Sequence, residues 1–280
     1  MVNLTLARGL RSRTLNEYRR MADQYDDVTR DALRAAVQGK WTAKRAKALI
    51  THLDGRGSKR AFATVIVNTG ASSTVVHFAP RVEGESLFVD IVRIEVPSRH
   101  KPLPPRAVVA MQLAPHAVER LFQRLRTVEA EEVREELRTG LFLALPLRVA
   151  AETLGLKQVP VPTEHGLLLC DGNGRNPLMA RTWLRNNEPG RGAQTISLRW
   201  ARVAAVIRGV ATAFEAQNPD EDGVRMPMAA IGFAELIEEL VPLLVSALEP
   251  FPWLKDPYVA ADDDPNEVWG QARAQQAGAR

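Results

Sequence analysis

A histidine and two arginines on one predicted helix form the clearest candidate for chemistry in this sequence. His116, Arg120 and Arg124 follow one another at intervals of four residues, in a segment that opens with Pro115. Residues four apart on a helix share a face, so the three side chains form one ridge. The ridge either binds an anion or is a solvated face whose arginines are neutralised by Glu119 and the glutamates after it.

A second histidine stands at the entry to a predicted β-hairpin. His165 precedes the strand 166–170, and the returning strand 178–184 carries Arg181, Thr182 and Trp183 near its end. Strand alternation predicts Arg181 and Trp183 on one face and Thr182 on the other. Trp183 is then either a core aromatic residue or a platform on which a base stacks beside Arg181.

The two ends of the chain carry opposite charge. Residues 1–60 hold 14 Lys and Arg against six Asp and Glu, and residues 221–280 hold four against 11. This asymmetry leaves three interpretations: a polyanion contact at the basic N-terminal region, an acidic C-terminal region that docks onto the basic region of the same chain or of a neighbouring copy, or a basic face that is simply solvated. Six basic residues outside the helix and the hairpin are further candidates for nucleic-acid contact: Lys44, Arg45 and Lys47 on a short predicted helix, and Arg99, His100 and Lys101 in a proline-rich loop.

The order of these features resembles a known family. Pro-His-Ala-x-x-Arg-x-x-x-Arg on a helix, then a His-Gly strand and a strand ending Arg-Thr-Trp-Leu, resembles the barnase/RelE-like small ribonucleases and their toxin relatives, over residues 107–200. The resemblance implies a helix followed by a compact antiparallel sheet that acts on the RNA backbone. It also implies roles for individual residues: His116 and His165 as acid and base, Arg120, Arg124 and Arg181 as cations stabilising the phosphorane, and Thr182 as a phosphate-binding hydroxyl.

Hydrophobic periodicity predicts the elements that position these residues. Helices over 12–38 and 42–53 precede strands over 61–68, 73–78, 86–96 and 107–112. After the helix at 115–126, Gly140 should end a helix over 128–138, and a short helix should follow over 146–155. Residues 194–214 are a strand followed by a helix, or one long helix, and Pro242 should kink or divide an amphipathic helix over 229–248.

This order predicts an α+β fold, with a central antiparallel sheet and helical regions at both ends. We divide the chain into a basic helical region, 1–58, a sheet domain, 59–218, and an acidic C-terminal helical region with its tail, 219–280.

Several classes of function are disfavoured by composition. Cys170 is the single cysteine, which rules out an intrachain disulfide and favours the cytoplasm. The five histidines show no close pairing for a metal, and Gly172-Asn173-Gly174 is typical of a hairpin turn rather than a phosphate loop. We therefore expect no metal and no cofactor. No uncharged apolar stretch is long enough to span a membrane.

The sequence therefore predicts a nucleic-acid-binding protein, with RNA favoured over DNA and metal-independent RNA cleavage as its candidate activity. The alternative is a non-enzymatic scaffold that forms homo-oligomers through the C-terminal amphipathic helix, whose apolar side comprises Ile231, Leu236, Ile237, Leu240, Leu243 and Leu244. A nuclease requires His116 and His165 to approach each other across a cleft. A scaffold keeps them apart and offers its apolar helix face to another chain.

Overall fold

The computed structural model describes residues 2–69, 72–172, 177–186, 198–217 and 233–256. Six helices in this part of the chain are α1 (Leu4–Val37), α2 (Ala43–His52), α3 (Pro115–Leu125), α4 (Ala130–Leu154), α5 (Leu198–Gln217) and α6 (Phe233–Leu248). The strands are β1 (Ala63–Thr69), β2 (Ser72–Glu83), β3 (Ser86–Pro97), β4 (Arg106–Leu113), β5 (Gln158–Pro162), β6 (Gly166–Asp171) and β7 (Leu178–Arg185). Helix α1 begins earlier than the predicted residue 12, because the Asn3 side chain caps it by accepting from the Leu6 N–H at 2.8 Å.

The seven strands form one sheet in the order β1-β2-β3-β4-β7-β6-β5. Every neighbouring pair is antiparallel except β4 and β7, where Met111 lies opposite Leu178 in a parallel pair. The α+β class is therefore confirmed, but the sheet is mixed rather than purely antiparallel. The reason is that α3 and α4 separate two antiparallel meanders, which join side by side through strands of the same direction.

Helices cover both faces of the sheet. His77 and Phe78 are neighbours on β2 and therefore point to opposite faces. His77 contacts Tyr25 of α1, and Phe78 packs edge to face against Phe142 of α4. Residues from all three predicted regions, such as Leu15, Phe78 and Leu244, belong to the same apolar core.

Helix α4 is longer than predicted because Gly140 does not end it. The helix runs through Gly140 and Pro146, and buries Leu137 and Leu141 among the residues of its inner face. A Cβ at Gly140 would lie 3.0 Å from the carbonyl oxygen of Pro162. Gly140 is therefore needed for the close approach of α4 to the end of β5, and this packing outweighs its weak helix propensity.

Strand β5 contains two prolines, Pro160 and Pro162, and was not recognised in the sequence as a strand. It lies at the edge of the sheet and pairs only with β6. Prolines are tolerated there because an edge strand does not need every N–H for a neighbouring strand.

Helix α6 continues through Pro242, so this proline does not divide the helix, which was one of the two effects predicted for it. Leu240, Leu244 and Leu248 are buried in the core of the chain, whereas Leu243, which was placed on the same apolar side as Leu240 and Leu244, is 43% exposed. Ile231 and the Leu236 side chain lie outside the described residues, as do residues 194–197 ahead of α5. Much of the apolar face predicted for self-association is thus buried within one chain.

None of the described helices is long and apolar enough to cross a lipid bilayer.

Replacing Leu240 with Asp should destabilise the protein by several kcal/mol, because it buries an unpaired charge. Leu243→Asp is the matched control: it places the same charge on the exposed side of α6 and should change the free energy of unfolding by about 0.5 kcal/mol or less. Urea denaturation of both variants checks this. Equal effects would contradict the assignment of the two faces.

The buried His77 makes stability depend on pH. Its Nδ1 lies 2.9 Å from the Tyr25 hydroxyl, and burial lowers its pKa to about 4. The unfolded chain therefore binds a proton near pH 6.5 that the folded chain does not bind until about pH 4. The folded chain therefore has its full stability with respect to His77 above pH 6.5, where the ring is neutral in both states, and loses stability as the pH falls toward 4.

His77→Gln, which cannot titrate, should remove that loss. Between pH 7 and pH 4 the wild type should lose on the order of 3 kcal/mol more stability than the variant, from the difference in pKa of His77. Denaturant midpoints measured across this pH range provide the comparison. Parallel pH profiles for the two proteins would be the contrary result.

Candidate active site

The predicted ridge on α3 is present. Pro115 occupies the first turn, where its missing N–H breaks no helical bond. The opposite side of the helix is buried by Ala117, Val118, Leu121 and Phe122. On the ridge, Arg120 Nε donates to Nε2 of His116 at 3.1 Å and Arg120 Nη1 donates to Gln123 Oε1 at 3.2 Å. These two hydrogen bonds fix the Arg120 side chain between His116 and Gln123.

Glu119 does not neutralise the ridge. It is buried and accepts from Nη1 of Arg11 in α1 at 2.7 Å. Of the glutamates that follow along the chain, Glu131 pairs with Arg134 and Glu135 with Arg138.

The ridge leads to the open end of the β6–β7 hairpin. Helix α3 starts beside Ala180, whose carbonyl accepts from the Ala114 N–H at 3.0 Å. The helix ends beside the C-terminal end of β7. There Arg124 Nη1 donates to the Trp183 carbonyl, and Arg185 Nη1 donates to the Arg124 carbonyl at 2.7 Å. From His116 to Arg124 the helix rises about 12 Å.

His165 lies at this end, with its ring bonded to a buried carboxylate. The Nδ1 atom of His165 is 2.8 Å from Oε2 of Glu136, whose side chain is 1% exposed, whereas that of His165 is 57% exposed. Glu136 also accepts from the backbone N–H of His165 at 3.0 Å and from the hydroxyl of Thr163. The imidazole is thus fixed on its inner side and open to solvent on its outer side.

The direction of these hydrogen bonds follows from Trp183, whose indole N–H can only donate. It donates to the Thr163 hydroxyl oxygen at 2.9 Å, so the Thr163 hydrogen points to Glu136. The Glu136 carboxylate accepts this bond and the backbone bond, and it accepts Nδ1–H of His165 in the same way. The neutral imidazole therefore carries its proton on Nδ1 and presents the Nε2 lone pair to solvent.

Residues 163–165 form the β5–β6 loop, and Arg208 of α5 contacts the side of this loop opposite Glu136. Its Nη2 donates to the carbonyl oxygens of Thr163, at 3.2 Å, and Gly166, at 2.9 Å. Desolvation by burial lowers the pKa of the Arg208 guanidinium, and the charge of Glu136 opposes that shift. The loop is thus held between a carboxylate and a guanidinium.

Gly166 allows this arrangement. A Cβ at Gly166 would overlap the carbonyl oxygen of Leu184 and the indole ring of Trp183. Only glycine lets β6 pass so close to the buried tryptophan that orients Thr163.

Arg181, Thr182 and Trp183 do not form the predicted site. Leu169 pairs with Thr182 and Cys170 with Ala180, so Arg181 is the extra residue of a β-bulge. The bulge breaks the alternation that was predicted to put Arg181 and Trp183 on one face. Arg181 instead pairs with Asp171, with its Nε 2.6 Å from Oδ2. Trp183 is 0% exposed, so of its two interpretations the core aromatic residue is confirmed and the stacking platform is wrong. Thr182 is 6% exposed, so the prediction of a phosphate-binding hydroxyl there is wrong as well.

The two histidines do not meet across a cleft. His116 is in the first turn of α3, and His165 lies beyond its last turn, so the length of the ridge separates them. The basic residues Lys44, Arg45 and Lys47 on α2, and Arg99, His100 and Lys101 in the β3–β4 loop, lie at the opposite end of the sheet. The sequence therefore predicted part of one site and a second, separate surface.

Sequence reasoning missed Glu136, Arg185 and Arg208. Glu136 stands in a run of glutamates that looked like the acidic start of a helix. Its spacing was the available signal: three residues after Val133 and four before Gly140, it falls on the buried face of α4. No comparable pattern marks Arg185 or Arg208, because only the tertiary fold brings them close to the β5–β6 loop.

Among the described residues there is no group of three or more His, Cys, Asp or Glu that could hold a metal ion. The functional groups described at this site are an imidazole, its buried carboxylate and the neighbouring guanidinium groups.

Glu136→Ala should cost about 3–5 kcal/mol of stability, since it leaves the Thr163 hydroxyl and the His165 N–H without their buried acceptor and removes the negative charge that opposes the desolvation of Arg208. Glu135→Ala changes the neighbouring, half-exposed carboxylate on the same helix and should cost about 0.5 kcal/mol or less. Guanidinium denaturation of the pair measures both values. A Glu136→Ala protein as stable as wild type would contradict the assignment of Glu136 as the centre of the hydrogen-bond network.

Comparison of the chain with protein-family models, curated proteins and solved structures gave no match. The function of this site must therefore be inferred from its own geometry.

Proposed function

We propose that this chain binds RNA and cleaves it without a metal ion, with His165 as the general base. The observation that carries the proposal is the His165–Glu136 pair: an exposed imidazole whose Nδ1 is bonded to a fully buried carboxylate 2.8 Å away. A buried carboxylate on Nδ1 fixes the ring and stabilises the imidazolium that forms when Nε2 takes a proton.

The arginines beside His165 support a phosphodiester as the substrate. Arg124 and Arg185 converge at the end of α3, each fixed by a hydrogen bond to a backbone carbonyl. A guanidinium fixed in this way stabilises charge that develops on phosphate oxygens during a reaction. His116 and Arg120 extend the same positive ridge along α3, where neighbouring phosphates of the backbone can bind.

RNA is favoured over DNA because the proposed reaction uses the 2′-hydroxyl. His165 Nε2 removes the proton of that hydroxyl, and the 2′-oxygen attacks the adjacent phosphorus. The 5′-oxygen leaves and takes up a proton from water, and the hydroxide formed in this way takes the proton from the His165 imidazolium and restores the base. The products are a 2′,3′-cyclic phosphate and a 5′-hydroxyl end. A cytoplasmic location would give the protein access to this substrate and would keep the buried Cys170 reduced.

The alternative of a self-associating scaffold receives less support. Leu240, Leu244 and Leu248 of α6 already pack in the chain's own core, so self-association would have to use a different surface.

His165→Asn tests the proposal, because the Asn amide can still donate to Glu136 but cannot act as a base. With RNA substrates in the presence of a chelator, this variant should lose about 100-fold or more of the cleavage rate. His116→Asn is the matched control on the ridge, and its kcat should fall by less than about tenfold. Thermal melting should show that both variants are folded.

Two results would overturn the proposal. One is the absence of metal-independent RNA cleavage by the wild-type chain. The other is cleavage that survives in His165→Asn but is lost in His116→Asn, which would place the base on α3.

A further inference from the structure

A second basic surface lies at the end of the sheet far from His165. It consists of exposed residues from two segments distant in sequence: Lys44, Arg45 and Lys47 of α2, and Arg99, His100 and Lys101 of the β3–β4 loop. We call these six residues the basic end. Neither α2 nor the loop 98–105 contains an acidic residue.

The structure fixes the two segments to one another. Trp41, just ahead of α2, donates its indole N–H to the Pro97 carbonyl at 2.9 Å. Lys101 donates to the Val37 carbonyl at the end of α1 at 2.7 Å. The loop between β3 and β4 also contains three prolines at 102, 104 and 105, which restrict its backbone. The basic end is thus one surface built from two tethered segments.

The strand register gives its distance from His165. The loop leads into β4 at Arg106, and β4 runs to Leu113, which lies opposite Ala180 of β7. β7 then continues to Arg185, opposite Gly166 and next to His165. At about 3.3 Å per residue, the stretch of β4 from Arg106 to Leu113 and the stretch of β7 from Ala180 to Arg185 together extend about 40 Å along the strand direction.

We propose that the basic end and the His165 site bind the same RNA, so that the substrate must be long enough to span about 40 Å. This inference rests on the proposed function. Double-stranded RNA is A-form and rises only about 2.8 Å per base pair, so the span corresponds to a stem of about 14 base pairs. The substrate class is therefore a structured RNA with a stem of at least that length, rather than a short oligonucleotide.

Two linked contacts give a characteristic dependence on length. A stem shorter than the span reaches one surface only, whereas a longer stem reaches both, and its second contact is intramolecular. The contacts at the basic end are to phosphates, so they add affinity without selecting a sequence. Because each contact releases counterions, the long stems should also show the steeper loss of affinity with salt.

The experiment measures binding of RNA stems from about 6 to about 20 base pairs by fluorescence anisotropy, with the His165→Asn protein so that no substrate is cleaved. Affinity should rise at least tenfold as the stem passes about 14 base pairs. The double variant Lys44→Glu with Lys47→Glu should abolish this rise. Lys157→Glu with Lys255→Glu is the matched control: it makes the same change in net charge at two exposed lysines elsewhere and should preserve the rise.

Three results would overturn the inference. In the first, affinity rises smoothly with length and without a step. In the second, the α2 variant weakens stems of every length equally, which would make the basic end an independent binding surface. In the third, an acidic peptide competes for the basic end while RNA stems do not, which would make its partner a protein. Failure of the proposed function is seen separately, as loss of metal-independent cleavage, because this assay measures binding alone.

Discussion

The candidate site depends on one buried carboxylate. Glu136 is almost completely removed from solvent, and an ionised group in that position is tolerated only if its oxygens are hydrogen-bonded and its charge is opposed. Thr163 and the backbone and ring of His165 supply the hydrogen bonds, and Arg208 supplies the opposing charge. The same hydrogen bonds that make the burial of Glu136 tolerable also fix the β5–β6 loop and the imidazole of His165. Stability and candidate chemistry therefore share one set of contacts.

Two close approaches of the backbone allow this carboxylate to reach the loop. Gly140 lets α4 lie against the end of β5, and Gly166 lets β6 pass the indole of Trp183. A Cβ at Gly166 would overlap its neighbours, and a Cβ at Gly140 would lie 3.0 Å from the Pro162 carbonyl oxygen, so that the packing there would have to shift by a few tenths of an ångström. The network is thus set by packing at some distance from the imidazole itself, and the positions of the two glycines matter as much as the polar residues.

The elements with a regular hydrophobic period could be predicted from the sequence, and those controlled by tertiary contacts could not. Strands β1, β3 and β4, helix α3 and the β6–β7 hairpin follow the predicted bounds closely, whereas β2 extends to Glu83, beyond its predicted end at residue 78. Helix α4 passes through Gly140 because packing overrides propensity, and β5 keeps its prolines because it is an edge strand. The bulge at Arg181 has no signal in the sequence, yet it moves Arg181 out of the predicted site. His116, Arg120, Arg124 and His165 were found from spacing and position, whereas the partner that orients His165 was hidden among surface glutamates.

The central claim is that Glu136 fixes the tautomer of His165. NMR of the ¹⁵N-histidine-labelled protein, with the His165 signal assigned by its loss in the Asn variant, tests this directly through the couplings between ring nitrogens and ring protons. At a pH where the ring is neutral, we expect a proton on Nδ1 of His165 and none on Nε2. In Glu136→Gln this preference should weaken or disappear. A neutral His165 with its proton on Nε2 in the wild-type chain would contradict the account, because the outer nitrogen could not then act as a base.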